Sequence, residues 1–408
     1  MALRVSRTRV LVVLAALYLA QGLPYGFFTQ ALPVLMREAG YSLTVISATS
    51  LLFLPWALKF LWAPWVDHRG RRRDWLLPLQ VAGAVLAVVL AGLPLADSLV
   101  VLFAALLLFN VIAATQDIAT DGLAVRLLSP PMRGLGNGIQ VGGYRLGMVL
   151  GGGLLLWLYT RIGWSGMLMV MAALLALTVL PVLTLCEPAS EQPPSPPASR
   201  LWAGWWGRLQ QPGMGSFIGL IGLYKFGDTM ASAHVGPMML DLGLDTDQIA
   251  LVKGTLGASA GLAGAALGGW LAFRWQRRTT LLACGLLQTA SLLPYLLAAS
   301  GMATLPMLWL GATVEHLFGG MATVALFTLM MDAADPDHAG TDYTLLACII
   351  VVVMGMAAFT GGVVGDSLGY VPLLGLAIGL SATGCLLLVS RLDRGSALPG
   401  VAAIWRPR

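Results

Sequence analysis

The sequence predicts an all-α membrane protein of twelve transmembrane helices, arranged as two six-helix halves that repeat each other. Three observations predict it. Charged residues are only 11% of the chain, less than half the roughly 25% of ordinary soluble proteins. Hydrophobic residues reach 58%, and mean hydropathy is +0.81. Twelve apolar runs approach the ~20 residues that one bilayer crossing needs. They lie near 10–36, 43–64, 75–96, 98–124, 134–160, 164–186, 213–241, 247–272, 278–300, 304–331, 341–365 and 369–390. Lipid admits only helices or closed barrels, and these runs are too long for barrel strands.

The first run follows Arg4, Arg7 and Arg9, as a signal peptide would. Its apolar part is too long and no small-x-small cleavage site follows, so it is expected to stay as the first helix. After the sixth run comes "EPASEQPPSPPASR" (187–200), a polar, proline-rich stretch that reads as a linker. Residues 1–186 form the first half, 187–212 the linker and 213–408 the second half. Within 187–212, Trp202, Trp205, Trp206 and Leu209 recur at helical spacing. They read as a short helix in the headgroup region or as an early start to the seventh span.

Eighteen of the 24 lysines and arginines lie in loops on one side, against Arg37 and Arg161 on the other. The positive-inside rule then puts both termini in the cytoplasm. The pI near 9.2 is this topology signal and calls for no nucleic acid. Cys186, Cys284, Cys348 and Cys385 lie in or at the ends of apolar runs without CxxC spacing, which suits packing and argues against a metal site.

The halves echo each other at an offset of 206 residues. Arg71–Arg72 after span two aligns with Arg277–Arg278 after span eight, and Gly134 with Gly340. Nearer the front, Gly40 aligns with Gly243 and Ile46 with Ile249 at an offset of 203. Six plus six spans from repeated halves is a transporter architecture, with the solute site expected near the midplane between the halves.

"APWVDHRGRRR" (63–73) resembles the loop signature of the major facilitator superfamily between spans two and three. Asp67, Gly70, Arg71 and Arg72 match it, while Ala63 and His68 replace its first glycine and its usual arginine. Gly70 suits the tight turn, Asp67 accepts bonds that lock one conformer, and the arginines are expected at the interface. The second-half copy lacks the acid and has Phe273 in its place. "QGLPYG", "LPWALKFLWAPWVD", "ATQDIATDGLAV", "RGLGNGIQVGGYRLGMVLGGG" and "GTDYTLLACII" together resemble the AmpG-like branch. That branch holds muropeptide permeases, acetyl-coenzyme A transporters and siderophore permeases of the rhizobactin and pyochelin type. Muropeptide permeases usually carry further C-terminal spans. The aromatic "QGLPYGFFTQALPVLMREAG" looks more like the siderophore permeases. The resemblance implies an inner-membrane importer of a ferric siderophore, with muropeptide import as the alternative. It also implies that spans one, four, seven and ten line the cavity.

Polar residues collect in those spans. Gln21 and Tyr25 share a face of span one at i and i+4, where Pro24 can kink the helix, and Gln30 follows. Polar groups at mid-membrane are expensive unless they face water or a partner. Asn110, Asp117 and Asp121 share a face of span four, with Arg145 of span five expected to pair with Asp117 and Asp121 read as solvated. Span seven offers Tyr224, Lys225, Asp228 and His234, and span ten Glu315 beside His316. Gln21, Tyr25, Gln30, Asn110, Tyr224, Lys225 and His234 are the candidate solute contacts. Asp117, Arg145, Asp228 and Glu315 are the candidates for proton coupling or gating. Each also has a plain structural reading as a helix–helix contact. Lys59 and Lys253 read as snorkelling residues near span ends, and Asp332, Asp335 and Asp337 as solvated loop charges. Lys225→Ala is expected to remove most uptake, and Lys59→Ala to act more mildly.

No GxSxG, HExxH or nucleotide-binding GxxxxGK[ST] occurs, so neither an enzyme nor an ATP-driven pump is expected. The expected energy source is the proton gradient. No cofactor or metal is expected; the partners are a small solute and the bilayer, and the protein is expected to act as a monomer.

Overall fold

The computed structural model describes residues 7–39, 52, 54–93, 99–185, 206–244, 246–302 and 304–405. Among them there is no strand. The sequence readings at Arg4, Gly40, Ile46, Cys186, Arg200, Trp202 and Trp205 lie outside the described residues, as does most of the linker. Of the proposed headgroup helix only 206–209 are described, and they are helical.

Two compact units appear. Unit 1 gathers Met1–Leu128, Gly142–Trp205 and Pro336–Thr344; unit 2 gathers Ser129–Val141, Trp206–Asp335 and Leu345–Arg408. The beginning of the fifth span therefore belongs to unit 2, and the beginning of the eleventh to unit 1.

In unit 1, α1 (Arg7–Gly26) runs unbroken through Pro24 and continues as a π-helical turn, Phe27–Ala31, into α2 (Leu32–Glu38). The second span is described from α3 (Leu54–Leu58) through the 3₁₀ turn Lys59–Leu61 to α4 (Ala63–His68). Next come α5 (Arg72–Ala91) and α6 (Leu99–Leu127). The span-five helix α7 (Arg133–Val149) passes a π turn, Leu150–Leu154, into α8 (Leu155–Leu183). Gly163 has φ 68° inside α8, a left-handed value open to glycine, and it separates span five from span six.

In unit 2 lie α9 (Met214–Asp241), α10 (Thr246–Ile249) and α11 (Gly257–Arg274), the last two joined by a π segment, Ala250–Leu256. Then follow α12 (Arg277–Ala290), α13 (Leu293–Leu297) and α14 (Leu305–Ala333). The 3₁₀ turn Pro336–His338 and the start of α15 (Ala339–Leu368) fall in unit 1. The chain ends with α16 (Tyr370–Asp393) and α17 (Pro399–Trp405). Nine helical stretches among the described residues are long and apolar enough to cross a membrane. One of them, Pro130–Leu183, is the pair folded at Gly163. The polar α9 falls short on composition because it carries Lys225, Asp228 and His234.

Each unit has its own apolar core. Phe27, Phe28, Phe109, Leu155 and Met171 anchor one in unit 1; Met230, Met239, Leu292 and Leu374 anchor one in unit 2. In lipid the hydrophobic effect gives little drive between helices, so close backbone packing must. A Cβ on Gly147 would stand 2.7 Å from the Cα of Gly22, so α1 and α7 approach on bare backbone. Gly147→Leu is expected to force them apart and remove most of the monodisperse protein in detergent size-exclusion chromatography. A normal peak would show that this contact is dispensable.

Candidate functional site

In unit 1 the polar stripe of α6 is answered by side chains from α1 and the second span. Lys59 bonds Asp117, and both are buried, at 5% and 7% exposed. Lys59 is thus turned inward rather than snorkelling, which corrects that expectation. Asp117 was expected to pair with Arg145. Its partner in the structure is Lys59, and Arg145 stands half-buried on α7. The indole of Trp56 donates to Asn110 Oδ1 at 3.0 Å and lies 5.5 Å from the Lys59 ammonium. Tyr25 leans on Trp56 and Tyr144, with ring centroids 6.2 and 5.4 Å away. Asp121 is not solvated: it is 2% exposed and accepts from Tyr18 Oη at 2.9 Å. Gln21 donates through Nε2 to Thr120 Oγ1 at 3.0 Å. Gln30 is exposed, its amide lying over Gly152. Phe27 and Phe28 are core residues, 0% and 2% exposed, and belong to the apolar core of unit 1.

Unit 2 carries two further polar groups. Lys225 bonds Asp228 at 2.7 Å, one turn on, and reaches Thr323 at 3.5 Å. Glu315, 7% exposed, accepts from Ser232 Oγ at 2.5 Å and Tyr295 Oη at 3.3 Å. His316 was expected on another face, yet its Nδ1 lies 3.1 Å from Glu315 Oε2, because the ring folds back along α14 toward the Ala312 carbonyl. Lys253 is half-buried and donates to the Ser232 carbonyl at 3.3 Å. Tyr224 is 3% exposed and donates to the Leu281 carbonyl at 3.3 Å. His234 is half-buried, with Nδ1 3.0 Å from the Met230 carbonyl. No group of three or more metal-ligating side chains occurs among the described residues.

The loop signature forms a buried ionic knot in unit 1. Asp67 is fully buried and bonds Arg72. It also accepts from the backbone N–H and hydroxyl of Thr341 at 2.9 and 3.0 Å, with Arg126 3.5 Å away. Arg72, expected at the interface, is 1% exposed and also donates to the Val66 and Asp67 carbonyls. Gly70 turns at φ 66°, and Arg71 stays exposed with its backbone N–H on Asp74. His68 bonds His338, 2.9 Å between ring nitrogens.

Unit 2 builds the corresponding knot with the acid moved. Asp332, read as a solvated loop charge, is 1% exposed and takes Arg133 at 2.9 Å and Arg277 at 2.7 Å. Arg277 also donates to the Ala272 carbonyl, as Arg72 does to that of Asp67. At this loop the matching bonds pair Arg72 with Arg277 and Asp67 with Ala272 rather than Phe273, an offset of 205. Asp335 bonds Arg208 at 3.1 Å, whereas Asp337 is exposed as expected. Trp56, Tyr18, Ser232, Tyr295 and Asp332 were missed as site partners. Trp56 at i−3 from Lys59, Tyr18 at i−3 from Gln21 and Ser232 at i+4 from Asp228 left a spacing signal in the sequence; Tyr295 and Asp332 did not.

Residues 14–358 match the model of the Major Facilitator Superfamily. The chain belongs to that superfamily. It is a multi-pass membrane transporter with AmpG-like relatives. The anhydromuropeptide permease of Escherichia coli K12 is 32% identical over 348 residues, which cover 83% of this chain and 71% of that one. An uncharacterized protein of Haemophilus influenzae is 29% identical over 400 residues, 93% of this chain and 94% of its own. The crystal structure of the human organic anion transporter MFSD10 superposes with a TM-score of 0.74 at 16% identity, over 95% of this chain and 100% of that chain. That likeness speaks for the fold alone.

Proposed function

We propose that this transporter imports a muropeptide, a sugar carrying a short peptide, across the bacterial inner membrane by alternating access, driven by the proton gradient. The observation that carries the reading is the likeness to the anhydromuropeptide permease over 83% of the chain. The polar groups suit such a solute. In unit 1, Trp56 and Tyr25 offer flat faces for a sugar ring. The ferric-siderophore reading leaned on the resemblance of the aromatic stretch that begins at Gln21, whereas the curated relatives include the anhydromuropeptide permease. Asp117, Asp228 and Glu315 are buried carboxylates in spans four, seven and ten and are the proposed sites of proton uptake. The arginine-rich loops support cytoplasmic termini.

The test is uptake of radiolabelled anhydromuropeptide by bacterial cells lacking their own permease and expressing this chain. Accumulation above the empty vector, abolished by a protonophore, is expected. Uptake of a labelled ferric chelate with no muropeptide uptake would return the siderophore reading. Muropeptide uptake that survives the protonophore would remove the proton coupling.

A further inference from the structure

A cavity of about 10 Å³ lies inside unit 1, lined among others by Ala20, Gln21, Pro24, Gln80, Gly83 and Gln116. That volume is about what one water centre needs. Each of its three glutamines is at least nine-tenths buried, at 1%, 3% and 5% exposed. Each also has a side-chain atom without a partner: Gln21 Oε1, Gln80 Oε1 and Gln116 Nε2. An unmet buried amide is costly, and more so in lipid than in a soluble core, so three around one void call for an occupant.

The amide orientations follow from the neighbours. Thr120 gives its hydroxyl proton to the Gln116 carbonyl at 2.9 Å, so toward Gln21 its oxygen can only accept. Gln21 must therefore present Nε2 to it, which leaves Oε1 as its unpartnered atom. Gln80 Nε2 faces the Thr178 carbonyl at 3.3 Å and Thr178 Oγ1 at 3.2 Å. The Thr178 hydroxyl proton is taken by Leu175 at 2.6 Å, so Gln80 too is left with Oε1 unpartnered. Pro24 has no N–H, which frees the Ala20 carbonyl one turn earlier from its helix bond. The void thus offers oxygen acceptors and one N–H donor. A metal cation would meet that N–H, and an anion would meet the oxygens. Water donates twice and accepts, which matches the set.

We propose that this cavity is a built water site, in which one water accepts from Gln116 Nε2 and donates to Gln21 and Gln80, joining α1, α5 and α6. Gly83 gives an independent sign of the space: it is buried, yet a Cβ there would meet nothing within 4 Å. The sign of Gly83→Ala tests the site. In a dry cavity the methyl fills space and raises helix propensity, so stability rises. In a hydrated one it evicts the water and leaves the amides unmet.

The melting temperature of Gly83→Ala in detergent is expected to fall by about 2–4 °C. Gly83→Ser, whose hydroxyl can stand in for the water, is expected to stay near wild type. Ordered density between the three amides in a high-resolution map is the direct check. Gly83→Ala at or above the wild-type melting temperature would overturn the proposal, as would a map with an empty void. If Gly83→Ser falls as far as Gly83→Ala, crowding is the cause and the water site is likewise rejected.

Discussion

Asp332→Ala is expected to lower the melting temperature by about 5–10 °C and to remove most transport-competent protein from the membrane. Asp332 is 1% exposed and is bonded by Arg133 and Arg277, themselves 7% exposed. Truncating it leaves two guanidiniums buried without their counter-charge. Breaking a buried pair from one side costs about 3–5 kcal/mol, and each kcal/mol moves the melting temperature of a chain of this size by about 2 °C at most. Asp332→Asn keeps the shape and one acceptor, so its fall should be smaller. Thermal unfolding in detergent, with membrane levels by immunoblot, reads both variants. A wild-type melting temperature for Asp332→Ala would show that the arginines find water or lipid phosphate instead, and that the knot contributes nothing to stability.

Lys59→Ala is expected to be as damaging as Lys225→Ala, not milder. Lys59 is buried at 5% and bonded to Asp117, and removing it strands a carboxylate beside Asn110 and Trp56. At matched expression, uptake should fall by at least an order of magnitude, in keeping with a loss of about 3–5 kcal/mol when one partner of a buried pair goes. The double variant Lys59→Met with Asp117→Leu separates structure from transport. A buried pair replaced by apolar residues of similar volume is often neutral for stability, so the double variant should regain its membrane level. If uptake stays lost, the pair serves transport itself. If uptake returns with the fold, the pair is structural, and proton coupling must rest on Lys225–Asp228 or on Glu315.

The apolar spans found among the described residues and the polar residues of spans one, four, seven and ten were legible in the sequence. A bilayer crossing is a local property: it needs only a run of apolar residues of sufficient length, and any charge inside one stands out. The Lys225–Asp228 pair was legible for the same reason, since i and i+3 on one helix meet whatever the rest of the chain does. Partners across long sequence separations were not. Nothing near Asp117 in the chain chooses Lys59 over Arg145, 28 residues away on the other side. That choice is made by packing, which brings the buried Lys59 ammonium to the Asp117 carboxylate.

The same division holds at the helix ends. The match of Asp67, Gly70, Arg71 and Arg72 to a known loop was visible in the sequence, but not that Arg72 is buried while Arg71 is exposed. One step along a helix turns a side chain by about 100°, and only packing decides which arginine faces in. The acid missing from the second-half loop was expected simply to be lost. Tertiary structure shows it supplied by Asp332, some 60 residues later, because the end of α14 reaches the buried arginine at the start of α12. The sequence alone determined a helical, multi-span membrane transporter with charges inside its apolar runs, since lipid makes every such charge conspicuous. Which charge meets which was decided only by tertiary structure, because a buried ion takes whichever counter-charge packing brings within about 3 Å, and packing is set by the apolar majority around it.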